Sequence, residues 1–312
     1  MTGMIRFAVV ITLSLLLLQP LVAKIPPEQF TIKVGVELIN VLFTVTDQNG
    51  RLVDGLGPED FVVEEDGEEQ TIQHFASENE LPLTLALLVD TSPSVEPVLR
   101  EEQRTAREFL ESTLRSQDLA LVMGFDRSVT LMQDFTESGG MLGDAIDDLR
   151  VGSGTSIFDA IFLASEDRLQ YEAGRKAIIL ISDGEDTTSR VRRNEALISA
   201  HQADAVIYSI SNTLPRRGGF FGGGGQRTGD LGTLRRLSEE TGGAVFELDS
   251  RDDFAEIFAR IAAELRNQYS LAYVSTNPNR DGEYREIRIR PRDRDLRVRA
   301  RQGYYATSDD DQ

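Results

Sequence analysis

The chain has 312 residues, of which 40% are hydrophobic and 27% are charged, so it is expected to fold as soluble globular protein with room for two domains. Its formal net charge of −19 argues against a general affinity for nucleic acid or anionic lipid. Cysteine is absent, which excludes disulfides and zinc–cysteine sites, and only two histidines are available for histidine-dependent catalysis.

The N-terminus has the pattern of a secretory signal peptide. Arg6 precedes an apolar run from Phe7 to Leu18, and the small residue Ala23 follows. A membrane-spanning helix needs about 20 apolar residues, and Pro20 interrupts this run, so an uncleaved anchor is the less favoured alternative. We predict that residues 1–23 are removed and that the protein is exported to the periplasm or secreted, without stable membrane insertion.

The two flanks of the mature chain both have strand patterns. Residues 24–79 contain short apolar stretches separated by turns such as Asp66-Gly67, and residues 269–306 alternate apolar and basic side chains, as at Ile287 and Ile289. Neither flank has enough strands to bury a core alone. We therefore predict that the flanks combine into one smaller β-sandwich, followed by an acidic tail at residues 307–312.

The C-terminal strands place arginines at alternate positions, which are Arg288, Arg290, Arg297, Arg299 and Arg301. A nucleic-acid-binding stripe is disfavoured by the predicted export and the acidic net charge. We predict instead that these arginines face the acids of the N-terminal flank, which are Glu64, Glu65, Asp66, Glu68 and Glu69.

Between the flanks, residues 80–268 alternate strand and helix patterns. Continuous apolar runs such as residues 84–89 and 176–182 predict buried strands, and residues 96–116 repeat apolar side chains at helical spacing. The strands on either side of Asp126-Arg127 are expected to pair with each other. The pattern predicts an α/β fold, a doubly wound and mostly parallel sheet covered by helices on both faces and inserted in the β-sandwich.

A glycine-rich segment, RRGGFFGGGGQR, occupies residues 216–227 after one of these strands. A phosphate-binding loop is disfavoured because the glycines do not open directly into a helix. We interpret the segment as a mobile loop. Loops that follow strands of a parallel sheet gather at its carboxyl edge, so Phe220 and Phe221 are expected beside any ligand site there.

Polar side chains follow two of the predicted central strands. Asp90, Ser92 and Ser94 stand at alternate positions of DTSPS, a spacing that in an extended segment turns all three to one side. Asp183 follows a second strand in SDGED, and Thr155 lies in the glycine-bracketed turn GSGTS. Because the carboxyl ends of parallel strands share one edge of the sheet, Asp90 and Asp183 are expected to occupy equivalent positions at that edge.

The five side chains offer only oxygen donors, which suit a hard divalent cation such as Mg²⁺. The carboxylates of Asp90 and Asp183 just balance a doubly charged ion, and hydroxyl ligands add no charge. The ion would therefore still attract an anion. The sequence predicts a Mg²⁺ site, with Mn²⁺ or Ca²⁺ as alternatives, that binds an Asp or Glu carboxylate of a protein partner.

These motifs resemble the metal-ion-dependent adhesion site of von Willebrand factor A domains. The resemblance spans roughly residues 81–267 and includes the order of strands and helices. The resemblance implies that Ser92, Ser94 and Thr155 coordinate the ion through their hydroxyls. It also implies that the two aspartates bind directly or through water, which gives the ligand set Asp90, Ser92, Ser94, Thr155 and Asp183. The flanks look like the β-rich surroundings in exported von Willebrand factor A family proteins of acidobacteria.

Four residues near the motifs have other expected roles. Pro93 stands where a small flexible residue is common in the family, but it favours an extended Ser92 and is expected to be tolerated. Glu185 and Asp186 add negative charge to the loop after Asp183, with Asp186 supporting the turn. Asp159 is predicted to be a structural partner at a helix start.

We predict an exported, metal-dependent module for adhesion or assembly, not an enzyme. One alternative is a Mg²⁺-dependent phosphotransfer enzyme with Asp90 as nucleophile, but no lysine follows a relevant strand end to hold the phosphoryl group. A serine hydrolase is disfavoured because neither His74 nor His201 is placed near a strand-end serine. The remaining alternative is a scaffold with a structural metal.

Overall fold

The computed structural model describes residues 38–77, 81–213, 229–248 and 253–306. The predicted signal peptide, the glycine-rich segment 216–227 and the acidic tail 307–312 lie outside these residues. In the described ranges, no helix combines the length and the apolar composition needed to cross a membrane.

The described ranges contain fourteen strands, six α-helices and three single turns of 3-10 helix. The strands are β1 (Leu38–Thr46), β2 (Phe61–Glu65), β3 (Glu68–Gln70), β4 (Ile72–Ser77), β5 (Leu83–Asp90), β6 (Leu119–Phe125), β7 (Val129–Thr136), β8 (Arg175–Ser182), β9 (Ala205–Ser211), β10 (Val245–Glu247), β11 (Tyr269–Val274), β12 (Tyr284–Pro291), β13 (Arg297–Ala300) and β14 (Gly303–Tyr305). The helices are α1 (Leu99–Thr113), α2 (Gly139–Asp147), α3 (Ile157–Glu166), α4 (Arg193–Gln202), α5 (Leu231–Thr241) and α6 (Asp253–Arg266).

A six-stranded sheet forms the centre of the fold, in the order β10-β9-β8-β5-β6-β7. All neighbouring strands are parallel except β6 and β7, which pair antiparallel across the Asp126-Arg127 turn as predicted. β5 lies between β6 and β8, and all eight of its residues are buried. The strand therefore delivers Asp90 to the carboxyl edge of the sheet from a position that is covered on both sides.

The alternating side chains of β5 fill two separate hydrophobic cores, one on each face of the sheet. Leu85 and Leu87 pack in a core with α1, α2 and α6, whereas Ala86 and Leu88 pack in a core with α3, α4 and α5. Strands buried on both faces need to be apolar throughout, which explains their continuous hydrophobic runs. The predicted doubly wound α/β fold is confirmed.

The flanking strands form two antiparallel sheets, in the orders β13-β1-β11-β4 and β14-β12-β2-β3. Each sheet takes strands from both ends of the chain, and the two sheets share one apolar core. At its centre the rings of Phe43, Phe61, Phe75 and Tyr269 lie with centroids 5.1 to 6.3 Å apart. The predicted β-sandwich, with the α/β part inserted between its halves, is therefore confirmed.

The predicted pairing of the C-terminal arginines with the N-terminal acids is only partly correct. Arg290 forms an ion pair with Glu64, because β12 lies beside β2. Arg299 and Arg301 are different, because β13 pairs with β1 in the other sheet. They form ion pairs with acids of the α/β part, Glu264 on α6 and Asp204 before β9. Arg288 pairs with Glu286 of its own strand.

Candidate metal centre

The predicted ligands from two strands meet where β5 and β8 end. These strands are parallel neighbours, with Val89 opposite Ile181 in the register. β5 ends at Asp90, and Asp183 is the first residue after β8. The register therefore places both aspartates at the same edge, and both are buried, with 0% and 8% of their surface exposed.

The segment after Asp90 is not extended throughout, as the alternation argument required. Ser92 is extended, with φ −64° and ψ 163°, but Pro93–Val95 form a single turn of 3-10 helix. Proline suits the first position of such a turn, because its φ is fixed and no N–H is needed there. The turn brings the hydroxyl oxygens of Ser92 and Ser94 to 2.9 Å from each other. The two hydroxyls therefore converge through a turn and not through strand alternation.

Hydrogen bonds join four of the five predicted ligands into one cluster. The Ser94 hydroxyl donates to Asp183 Oδ2 at 3.0 Å, and it also contacts the Ser92 hydroxyl. The Ser92 N–H donates to Asp90 Oδ1 at 2.8 Å. The Ser182 hydroxyl donates to Asp90 Oδ2 at 2.7 Å, so a residue that the motifs did not single out completes the cluster. Its signal in the sequence is its place as the last residue of β8.

Thr155 lies at the start of α3, and its link to the cluster runs through the backbone. Its N–H donates to Thr187 Oγ1 at 3.0 Å, and its carbonyl accepts from the N–H groups of Thr187 and Thr188. The N–H of Gly152 donates to the Thr91 carbonyl at 2.7 Å. Across the described ranges, no hydrogen bond joins the Thr155 hydroxyl to the other predicted ligands. The structure thus fixes the Thr155 loop to both strand-end segments, and its coordination of an ion stays a prediction.

A glycine holds the turn that follows Asp183. Gly184 has φ +88°, a conformation that side chains other than glycine rarely adopt, and an added Cβ would lie 2.3 Å from the carbonyl oxygen of Asp230. The turn also lets the N–H of Glu185 donate to Asp183 Oδ1 at 3.0 Å. The carboxylate of Asp183 is therefore oriented by its own loop and by Ser94.

The other acids near the motifs make structural hydrogen bonds. Asp159 Oδ1 accepts from the N–H groups of Arg190 and Val191, both at 2.9 Å. Asp186 Oδ2 accepts from the Ser189 hydroxyl at 2.5 Å and from the Phe158 N–H at 3.2 Å. Both carboxylates thus fasten the loop after Asp183 to the start of α3.

Burial dominates the electrostatics of this edge. It raises the pKa of Asp90 to about 6, although the Ser182 and Ser92 hydrogen bonds oppose the shift and the neighbouring Asp183 adds to it. Burial also raises the pKa of Glu102, on α1, to about 8; Asn212 opposes this shift and Asp90 adds to it. The basic side chains of the described part form no ion pair with Asp90, Asp183 or Glu102. Negative charge at this edge therefore lacks a neutralising partner.

The donor set fits a hard cation better than a transition metal. Among the described residues, no group of three or more His, Asp or Glu side chains is arranged to hold a metal. The cluster instead offers two carboxylates together with hydroxyls, the oxygen donors that Mg²⁺ and Ca²⁺ accept. The residues present are thus compatible with the predicted ion, and hydroxyls are essential to the set.

Residues 85–185 match the protein-family model of the von Willebrand factor type A domain. No curated protein matches the sequence. A solved structure of proximal thread matrix protein 1 from the mussel byssus is 17% identical, with 65% of this chain and 51% of that chain covered and a TM-score of 0.51. A further structure of that mussel protein has a zinc-occupied MIDAS motif, with 65% and 50% covered and a TM-score of 0.50.

The structure of a von Willebrand factor type A protein from Catenulispora acidiphila is 13% identical to the chain. It covers 89% of this chain and 75% of its own, with a TM-score of 0.49. The chain thus aligns with about half of the mussel protein and with most of the bacterial one. At these identities the solved structures are informative about the fold alone. The family match confirms the predicted resemblance to von Willebrand factor A domains over residues 85–185, and the adhesion site and the likeness of the flanks to acidobacterial proteins stay predictions.

Proposed function

We propose that this chain, which contains a von Willebrand factor type A domain at residues 85–185, is an exported, metal-dependent protein-binding module for adhesion or assembly. Its Mg²⁺ ion would capture an Asp or Glu carboxylate of a protein partner. The observation that carries the proposal is the cluster of carboxylates and hydroxyls at the ends of β5 and β8, which has no basic partner in the described ranges.

The residues that would hold the ion are Asp90, Ser92, Ser94, Thr155 and Asp183. When bound, the cation would supply a Lewis-acidic position for an oxygen of the partner. The chain contributes the orientation of the donors, since Ser182, Gly184 and the 3-10 turn at Pro93–Val95 fix them before any ion arrives. The partial burial of the cluster strengthens the attraction between its charges and an ion.

Mg²⁺ is the ion we favour, with Mn²⁺ and Ca²⁺ as alternatives. The zinc-occupied MIDAS motif of the mussel protein supports a divalent ion in a fold of this kind. Zinc in proteins prefers nitrogen and sulfur ligands, however, and this cluster offers oxygen alone. The apolar run and the small residue in the first 23 residues support export.

Two features count against the phosphotransfer alternative. Asp90 is fully buried and both of its carboxylate oxygens accept hydrogen bonds, whereas a nucleophile must reach the phosphorus atom. No lysine or arginine of the described part forms an ion pair with the cluster, although phosphoryl transfer needs a basic clamp. A binding role needs neither a nucleophile that reaches a phosphorus atom nor a basic clamp.

The experiment titrates Mn²⁺ and Mg²⁺ into the chain without residues 1–23 and measures heat. We expect one divalent ion per chain. We also expect at least about tenfold weaker binding in Ser94→Ala, which loses a hydroxyl ligand, and in Asp183→Asn, which loses a negative charge. Asp148→Asn removes an exposed carboxylate, 75% accessible, and should bind as the unchanged protein does. Normal binding by the two site variants would refute the site.

Carboxylate capture is tested on the Mn²⁺-loaded protein by water-proton relaxation. Acetate should displace metal-bound water and lower the relaxation enhancement, while acetamide at the same concentration should not. An ion that binds but ignores acetate would favour the scaffold with a structural metal. Hydrolysis of a phosphate ester that Asp90→Ala abolishes would favour the enzyme.

A further inference from the structure

Glu102 is a carboxyl group in an unexpected place. It lies in the first turn of α1, and none of its surface is exposed. Within the described ranges, neither of its carboxylate oxygens makes a hydrogen bond of normal geometry. An ionised carboxylate without a partner is very costly in such a place, so the group must hold a proton or have a positive charge nearby.

The surroundings of Glu102 connect it to the candidate metal centre. Asn212 lies just after β9, at the same edge of the sheet, and its side chain opposes the rise in the pKa of Glu102. Among the described residues, the amide nitrogen of Asn212 also lacks a hydrogen bond of normal geometry. The N–H of Asn212 donates to the Ser182 carbonyl at 3.3 Å, and the Ser182 hydroxyl donates to Asp90. The negative charge of Asp90 adds to the rise in the pKa of Glu102.

We propose that Glu102 is a positioning residue of the cation site, which loses its proton to solvent when a divalent ion binds and so gives the site a third negative charge. The proposal rests on the proposed function, because the ion is what makes the charged form of Glu102 favourable. Glu102 itself is not one of the proposed ligands, and its charge acts on the ion through space.

The direction of this coupling follows from charge. Without an ion, burial and the nearby Asp90 both raise the pKa of Glu102, so the carboxyl holds its proton at neutral pH. A doubly charged ion at Asp90 and Asp183 outweighs the repulsion between the carboxylates and lowers that pKa. Binding of the ion then releases a proton, as is general for metal sites with titratable groups.

The dependence on pH has a defined window. Below about pH 8, the ion must displace the proton of Glu102, so its affinity should rise with pH, by at most about tenfold per unit. Above about pH 8 the affinity should level off. Asp90, with a pKa of about 6, adds its own dependence only at lower pH. Measurements at and above pH 7 therefore isolate Glu102.

The experiment measures Mn²⁺ binding by calorimetry at pH 7.0 and pH 8.5, in buffers with different heats of ionisation that count the protons released. The unchanged protein should bind about tenfold more tightly at pH 8.5 and release close to one proton at pH 7.0. Glu102→Gln should lose most of both effects. Glu108→Gln, an exposed site on the same helix with 57% of its side chain accessible, is the matched control and should keep both.

The outcomes separate this inference from the proposed function. If Mn²⁺ binds and the unchanged protein releases no proton at pH 7.0, or if Glu102→Gln releases as many, the role of Glu102 is refuted and the metal site stands. If no Mn²⁺ binds at all, the metal site itself is refuted. The proton count on the unchanged protein decides the matter even if Glu102→Gln folds poorly.

Discussion

The carboxyl edge of the central sheet and the core of the β-sandwich both bury acids, but they treat them differently. In the sandwich, Glu65 is 2% exposed and accepts hydrogen bonds from the hydroxyls of Tyr273, at 2.8 Å, Tyr304, at 3.1 Å, and Ser275. At the carboxyl edge, Glu102 has no hydrogen bond of normal geometry among the described residues. A buried polar group without a partner needs an explanation, and the proposed coupling of Glu102 to a cation site is one.

The same contrast holds for the contact between the sandwich and the α/β part. There the basic side chains are paired, Arg299 with Glu264 and Arg301 with Asp204. Each of these two arginines thus has a carboxylate partner. The chain leaves a surplus of negative charge at the one edge where parallel sheets usually bind ligands.

The largest effect is expected from Glu65→Ala. Three hydroxyls would lose their buried acceptor, so we expect the free energy of unfolding to fall by about 4 kcal/mol. Urea denaturation of the metal-free protein measures the change. Glu69→Ala, at an exposed position on the neighbouring strand β3, should change it by less than about 0.5 kcal/mol. Equal effects of the two substitutions would show that the sandwich does not depend on its buried acid.

The next effect concerns His201, on α4, where the α/β part meets the sandwich. Burial, with Arg301 nearby, lowers its pKa from 6.5 to about 4. Between about pH 6.5 and about pH 4, His201 therefore binds a proton in the unfolded chain but not in the folded chain. The free energy of unfolding falls as pH falls through this range. Asp90 has the opposite effect on the pH dependence of stability, because its raised pKa makes the metal-free protein lose stability as pH rises towards 6.

His201→Gln should remove this acid sensitivity. Between pH 7 and pH 4.5 the unchanged protein should lose about 2.5 kcal/mol more unfolding free energy than the variant. Urea denaturation at the two pH values gives the difference. His74 is exposed, so His74→Gln is the matched control and should lose stability as the unchanged protein does. An acid sensitivity that survives in His201→Gln would place its origin elsewhere.

Local patterns predicted the sheet and the position of the strand-end aspartates well, because both depend on neighbouring residues. Asp90 and Asp183 follow apolar strands, and the parallel register then brings them together. The spacing of residues in α1 also indicates that Glu102 is buried. It lies three residues after Leu99 and four before Ala106, on the buried face of the helix. Because glutamate is a charged residue type, it is usually assigned to the surface even where the helical spacing places it on the buried face.

Other features depend on long-range pairing and could not be read locally. Whether Arg299 meets an N-terminal acid or Glu264 is decided by which sheet β13 joins. The convergence of Ser92 and Ser94 likewise depends on a 3-10 turn, which the spacing of two polar residues does not distinguish from a strand. Sequence periodicity predicts which face of a strand or helix a side chain occupies, whereas the residue with which it pairs depends on the whole fold.

The smallest effect is expected from Arg290→Gln, which breaks the ion pair with Glu64 on the outside of the sandwich. The Arg290 side chain is 57% exposed, so solvent and salt already screen the pair, and we expect a loss below about 1 kcal/mol. A double-mutant cycle with Glu64→Gln, in urea at low and high salt, isolates the interaction energy. A coupling above about 2 kcal/mol that persists at high salt would mean that exposed pairs stabilise the sandwich as strongly as the buried hydrogen bonds of Glu65. The stability of the sandwich would then depend on its surface ion pairs as well as on the buried hydrogen bonds of its core, and the contrast with the unbalanced negative charge at the sheet edge would no longer be one of buried acids alone.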